Sequence, residues 1–355
     1  MKNIKPVFYI ILFSFTAFIL LQSCRKEVSI NIPSSTDPVA EKLSIDSGSE
    51  NTLLTLHGSG LGSIRTIVFD KGNVLAPFNP VFNTANALLF RIPAAAQNGL
   101  QNIIITNNTG AKISLPFKVL GYPVVNDISN YNFTTGTEIT ITGKNLLDVT
   151  SVFFAGSTTD GPSIISQTAT TLVVKFPATN LARTALTVTN LTGSLTTAQE
   201  FCSYDNNFTF FIDDYQNGQQ NNSWGDVSLS TTEFKVGEVS FEHTFKKGEY
   251  SQMGFGYNQI SNDGYQFLTF WIKGGTVDLD LWIWSEQTEG GVDGVYDLDK
   301  NKITVPATVW TYFKVPIAPL QLWKKGPTFN VIGWRIKEPE NISQKLYLDD
   351  VLLVK

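Results

Sequence analysis

Two stretches of this chain, 85 residues apart, carry the same pattern, and that repeat constrains the fold more than any other feature. Leu53 to Gly62 reads LLTLHGSGLG and Glu138 to Leu147 reads EITITGKNLL, which sets Gly58 opposite Gly143 and Leu61 opposite Leu146. The correspondence continues downstream. Thr66 to Phe69 matches Ser151 to Phe154, Leu89 to Pro93 matches Val173 to Pro177, and Thr106-Asn107 to Gly110 matches Thr189-Asn190 to Gly193. Two copies of one module are therefore present. Within each copy, short alternating runs rich in β-branched residues are broken by Gly, Asn and Asp roughly every 8 to 12 residues, the pattern of a small β-sandwich. No stretch carries a convincing helical period.

The order of segments, a strand ending in Gly-x-(Gly/Asn)-Leu, then Val-Phe-Phe, a strand closed by Phe-Pro, and (Ile/Val)-Thr-Asn, resembles the immunoglobulin-like IPT/TIG domains. The resemblance covers roughly Asp37 to Tyr204 and divides it into domains at 38–120 and 121–204. His57 in the first copy stands where the second has Thr142, so it reads as a structural strand residue with no catalytic partner. Modules of this kind more often space than bind, and both are expected to be stalks.

The N-terminus reads as an address. Lys2 and Lys5 precede an apolar stretch, Val7 to Leu21, that is short for a bilayer span and right for a signal peptide. It runs into Leu21-Gln22-Ser23-Cys24, which resembles the lipobox of bacterial lipoproteins. That resemblance implies removal of residues 1–23, acylation of Cys24, and a polar tether over 24–37 that lifts the domains off an outer membrane, facing the cell surface. The other reading is an ordinary cleaved signal with an incidental cysteine. Cys202 is then a lone cysteine, expected to be a small buried hydrophobe.

Composition excludes several classes of function. Only 16% of residues are charged and the net charge is −5, with no block of Lys and Arg that could neutralise a run of phosphates, so nucleic acid is not an expected partner. Two histidines and two cysteines cannot build a Cys/His zinc cluster. All seven tryptophans lie beyond residue 205, so whatever uses indole rings is C-terminal.

Residues 205–355 hold eight strand-length runs, Phe208 to Ile212, Glu238 to Phe245, Gln252 to Tyr257, Phe267 to Lys273, Thr276 to Trp284, Thr311 to Val315, Val331 to Lys337 and Lys345 to Val354, which predict a jelly-roll sandwich. The whole chain is thus expected to be all-β: two tandem immunoglobulin-like sandwiches and a larger jelly roll. Phe211-Ile212-Asp213-Asp214-Tyr215, Leu268 to Gly274 and Leu346-Tyr347-Leu348-Asp349-Asp350-Val351 resemble the two ends and the middle of jelly-roll carbohydrate-binding modules. The resemblance implies a structural calcium shared by Asp213, Asp214, Asp349 and Asp350, since a hard cation wants several oxygen ligands. Gln216 stands where many relatives carry an acid, and four solvated strand-end carboxylates are the competing reading. No other cofactor is called for.

The sharpest segment is Val277 to Trp284. Side chains alternate along a strand, so Val277, Leu279, Leu281 and Ile283 form an apolar face while Asp278, Asp280, Trp282 and Trp284 form the other. Two indoles and two carboxylates in a row suit sugar, whose C–H faces lie on aromatic rings and whose hydroxyls need acceptors. A covering loop that makes Trp282 or Trp284 structural is the competing reading. Trp224 and Trp323 sit in polar, Gly-flanked loops and are candidate ligand contacts, as is Arg335, which alternates with the core-type Trp334. Trp271 reads as core and Trp310 as a structural residue before a strand. The acidic Ser285 to Asn301 loop either borders the site or is a solvated hairpin loop.

Asp278 and Asp280 raise the question of a glycosidase, whose paired carboxyls flank the scissile bond. Neighbours on one strand lie on the same side of a substrate, so the chain is not read as an enzyme. The full arrangement resembles surface glycan-binding lipoproteins of starch-utilisation-type outer-membrane complexes. It implies capture of a polysaccharide, a plant-type β-glucan or a hemicellulose such as xyloglucan, for a neighbouring transporter complex. A structural or adhesive protein that contacts other proteins is the alternative.

Overall fold

The computed structural model describes residues 33–288 and 299–355. Cys24, its leader and most of the tether, as well as Glu289, Asp293 and Asp297, lie outside the described residues. The chain forms two compact units, one ending at Gly121 and one running from Tyr122 to Lys355. Nearly all regular structure is strand, with one four-residue α-helix, Ile317–Leu320, and two single-turn 3₁₀ helices, Pro80–Phe82 and Asp299–Asn301, among the described residues.

In the first unit a three-stranded sheet (Val39–Leu43, Leu53–Ser59, Ala87–Arg91) faces a five-stranded one whose central strands are Lys112–Leu120, Gly99–Asn107 and Ile64–Phe69. Alternation decides the facing. Leu54 and Leu56 are buried while Thr55 and His57 point outward, and the inner residues meet Phe69, Phe90, Ile103 and Phe117 in one core. His57 is an exposed strand residue.

The second module repeats this plan with Glu138–Lys144, Thr171–Lys175 and Val124–Ile128 on one sheet and Val149–Phe154, Arg183–Asn190 and Ser194–Ser203 on the other. The structure explains why particular residues recur. A Cβ at Gly58 would overlap the carbonyl oxygen of Val39, and one at Gly143 that of Val124, so each copy needs glycine where the neighbouring backbone closes in. Leu61 and Leu146 are fully buried plugs. Asn107 and Asn190 each accept backbone N–H bonds from residues two to four positions ahead, closing the same hairpin.

From Phe208 onward the chain builds a two-sheet sandwich. One sheet runs Asp226–Ser230, Ser240–Phe245, Gln344–Val354, Phe267–Lys273, Trp310–Pro316, with Phe208–Phe211 also paired to Gln344–Val354. The other runs Gln220–Asn221, Gln252–Gly256, Ile332–Arg335, Leu279–Ser285, Lys302–Val305. All eight expected strands are present. The edge strands Asp226–Ser230 and Lys302–Val305 were not legible, because mixed polar edges lack a clear alternation. Phe211, Phe255, Phe270, Leu281, Ile283 and Trp334 lie in the core between the sheets.

This sandwich and the second module share a packed junction. Cys202, Leu352 and Val354 are buried together beside Tyr204 and Phe267. Tyr131 packs its ring 4.9 Å from both Trp271 and Tyr312. Trp271, expected inside the sandwich, therefore works on the outside of its sheet, against the neighbouring module. Arg183 lies over Phe267 at 4.7 Å and donates to Gln266 at 2.8 Å, while Lys314 pairs with Glu200. Burial pushes the Cys202 thiol up to about 12, which fits the expected inert cysteine. Removing the Tyr131 ring leaves a gap in this junction, so Tyr131→Ala should cost about 2 kcal/mol. Calorimetry of the full chain should show the second module and the sandwich losing stability together; an unshifted sandwich transition would contradict a shared cooperative unit.

Candidate functional site

The five-stranded sheet turns one face to the core and the other outward, and its register assembles the outer face. Gln252 pairs with Arg335, Arg335 with Trp282, and Trp282 with Lys302. Trp224 extends this row through an isolated bridge to Gln252. Trp224, Gln252, Arg335, Trp282 and Lys302 thus stand side by side across the sheet. Two positions along, Gly254 and Gly333 lie beside Trp284. A Cβ on Gly333 would stand 2.8 Å from Trp284 Nε1 and 2.9 Å from Gln252 Cδ, so glycine lets the indole lie close to the sheet. Trp284 Nε1 donates to Gln252 Oε1 at 2.7 Å, and Gln252 Nε2 donates to the Asn222 carbonyl.

Arg335 is the centre of the arrangement. Its guanidinium carbon lies 4.3 Å from the Trp224 ring and 5.2 Å from the Trp284 ring, a cation held between two indoles. Only 4% of Arg335 is exposed, against 44% of Trp224. Trp224 is held through its backbone: its N–H donates to Gln252 O, and Ser251 Oγ donates to its carbonyl at 2.5 Å. Because Ser251 spends its hydrogen there, His243 Nε2, 2.8 Å away, is the donor to Ser251. His243 is buried, and burial lowers its pKa to about 4, so a neutral imidazole holds the strap at ordinary pH.

Several expectations change. Trp282 and Trp284 do share the outer face, yet they are only 8% and 6% exposed and pack against each other and Val331, so they are not an open platform. The exposed ring is Trp224. Val277 lies before the strand and is exposed, so the apolar face begins at Leu279. Asp278 accepts the Ala307 N–H at 2.8 Å. Asp280 accepts from Thr304 at 2.6 Å and from Lys302 at 3.1 Å, and these bonds, that of Thr304 foremost, hold its carboxyl below the usual range. Trp323 is away from this row: Nε1 donates to the Ile260 carbonyl, and the ring packs against Tyr265 and Phe329. It fills the sandwich edge and is a packing residue.

The expected calcium ligands are also put to other uses. Asp213 accepts the N–H groups of Glu238 and Val239, and Asp214 is an exposed turn residue bonded to the Tyr215 N–H. Asp349 accepts from the N–H groups of Lys235 and Val236. Asp350 sits at a bulge with φ 50° that turns its carboxyl to Asn132 Nδ2 at 3.0 Å and Tyr204 OH at 2.7 Å. Among the described residues no three such side chains gather to hold a metal, so the four carboxylates do not fit the calcium centre that resemblance implied. Asp349 and Asp350 each keep one buried oxygen with no hydrogen-bond partner, and burial first, then mutual repulsion in the case of Asp349, raises both pKa values.

The sequence reading missed Gln252, Ser251, His243 and the paired glycines, whose roles depend on register between strands distant in the chain. Trp224, an indole in a Gly-flanked loop, and Arg335, alternating with the core-type Trp334, did carry a local signal.

Comparison with known proteins fits this architecture. Residues 123–210 match the IPT/TIG domain family, so the second module is an immunoglobulin-like domain of that kind. No curated protein matches the chain. Among solved structures, the surface glycan-binding protein PbSGBP-B from Prevotella bryantii is 16% identical and superimposes with a TM-score of 0.52, covering 91% of this chain and 99% of that one. SGBP-B from a complex xyloglucan utilization locus in Bacteroides uniformis is 15% identical with a TM-score of 0.42, covering 90% and 99%. The first of these shares the fold: immunoglobulin-like modules followed by a larger β-sandwich.

A prediction follows from the raised carboxyls. A native pKa above the unfolded value means that the folded chain binds the extra proton, so this pair's contribution is fully present below the ordinary carboxylate range and is lost as pH rises through the native values. Asn at 350 keeps an acceptor for Asn132 and Tyr204, carries no charge and tolerates the left-handed backbone. Asp350→Asn should therefore raise the melting midpoint by several degrees at pH 8.5, with the gain fading toward pH 4. A midpoint lowered at pH 8.5 and restored to the parent only by added calcium would instead reveal a metal site.

Proposed function

We propose that this protein captures a polysaccharide without cleaving it, on the outer face of the five-stranded sheet of its C-terminal sandwich. The observation that carries the reading is the half-exposed Trp224 ring layered on Arg335 and Trp284. A sugar ring needs a flat apolar surface with hydrogen-bonding groups at its edge, and here the surface is indole and the edge carries Arg335 and Asn222. Trp282 and Trp284 act beneath it as the support that keeps the upper ring and the guanidinium in place. The shared fold with a protein named as surface glycan-binding supports the same reading. A plant-type β-glucan or hemicellulose is the class of ligand.

A non-catalytic role agrees with the carboxylates. Asp278 and Asp280 are each tied to neighbours on the same sheet edge, and Asp280, held below the usual carboxylate range, cannot serve as a proton donor at neutral pH. The lipobox extends the reading to an outer-membrane lipoprotein anchored through Cys24, displayed at the cell surface beside a transporter complex. A purely adhesive protein–protein role lacks a comparable feature on this face.

Affinity electrophoresis of the chain lacking residues 1–24 against a polysaccharide panel tests the proposal; no retardation by any glycan would refute it. Trp224→Ala should weaken retention about tenfold, the scale of one lost stacking contact, with little change in melting temperature. Trp323→Ala should do the opposite, lowering the midpoint by roughly 5–10 °C and leaving retention unchanged. Cys24→Ala in the full-length chain should move the protein from the membrane to the soluble fraction on fractionation.

A further inference from the structure

Arg335 raises a question that a neutral sugar leaves open. It is a cation with almost no solvent exposure, and its Nε and Nη1 are buried with no hydrogen-bond partner. No carboxylate balances it among the described residues: Asp280 on the same face is taken by Lys302 and Thr304, and Asp278 by a backbone N–H. The flanking Trp224 and Trp284 rings attract the charge through their π-faces, which is a partial compensation, since a ring carries no net charge and accepts no in-plane hydrogen bond. Among the described residues this guanidinium, held between two aromatic rings, has no counter-charge, which is the position of a binding group waiting for an anionic partner.

We propose that the partner is a carboxylate, and that the glycan held at this face bears uronic-acid groups. A sugar hydroxyl accepts one hydrogen bond from the guanidinium and leaves its charge unbalanced. A carboxylate accepts a charge-assisted hydrogen bond from the guanidinium and supplies the counter-charge as well. Nη2 is the one guanidinium nitrogen not sealed in, so it is where the acid group of a bound sugar can approach. Trp224 is anchored through its main chain beside Arg335, and its exposed ring can stack on the sugar that bears the acid. This assignment deepens the proposed polysaccharide capture and rests on it.

The test compares matched polymers on the intact chain lacking residues 1–24: glucuronoxylan and polygalacturonate, each native and after carboxyl reduction to the neutral sugar, with neutral β-glucan and xyloglucan alongside. The expected result is retention of at least one native acidic polymer about tenfold or more above its reduced form, weakened by added salt, and quenching of tryptophan fluorescence on binding. Arg335→Gln should bring native and reduced forms to the same affinity, and Arg335→Lys should recover part of the difference. Equal binding of native and reduced polymers, or binding of the neutral glycans alone, overturns the uronate assignment and leaves glycan capture standing. Retention of none of the polymers removes both. If Arg335→Gln does not fold, the native-against-reduced comparison on the unaltered chain still decides.

Discussion

The last strand, Gln344–Val354, is the member on which the rest of the second unit depends. It lies in the middle of its sheet, pairing with Ser240–Phe245 on one side and Phe267–Lys273 on the other, and it also takes up Phe208–Phe211. Its apolar residues serve two cores. Leu346, Leu348 and Val351 face the sandwich interior, while Leu352 and Val354 pack with Cys202 of the preceding module. The switch between the two is made at the Asp350 bulge, where one residue in a left-handed conformation shifts the register and sends its carboxyl to Asn132 and Tyr204. A single backbone irregularity joins an immunoglobulin-like domain to the sandwich, so the second module is a fused brace and not a free spacer.

That brace bears on the site at one remove. The six-stranded sheet is anchored at the junction, and the five-stranded sheet, packed on its other face through Phe270, Phe255 and Trp334, presents the Trp224–Arg335–Trp284 stack outward. The stack places a hydrophobic surface and a cation in the same few ångströms. Burying the charge between indoles fixes its direction, and a group fixed before the ligand arrives loses little entropy on binding. His243 and Ser251 extend the same economy to the Trp224 backbone, using a neutral imidazole where a charged one would be costly.

How much of this was legible in the chain varied with the range of the interaction. The repeat, the alternation of the strands and the core identity of Leu54, Leu281 and Trp334 are local properties, set by a period of two and by residue size. Gly58 and Gly143 were visible as an echo, though their cause, a neighbouring carbonyl closing in, is a contact between strands. The errors have one origin. Trp282, Trp284, Trp271 and Trp323 were assigned by their neighbours in sequence, and each is governed by what packs over it from elsewhere: a lysine and an arginine from adjacent strands, Tyr131 from another domain, or Tyr265 and Phe329 at the sandwich edge. The four aspartates failed as a calcium set for the same reason, because a bulge redirects one of them and turns engage the others.

The sequence by itself determined that this chain is all-β, that its middle is a duplicated small sandwich, and that its indoles belong to a separate C-terminal sandwich. Those conclusions need only periodicity, composition and turn chemistry, which each residue carries with it. Which indole meets solvent, which is sealed, and which cation stands unpaired between them was decided by the tertiary structure alone. Cross-strand register brings Trp224, Gln252, Arg335 and Trp282 into one row from segments up to 111 residues apart (Trp224 to Arg335), and no local pattern encodes which strand will lie beside which.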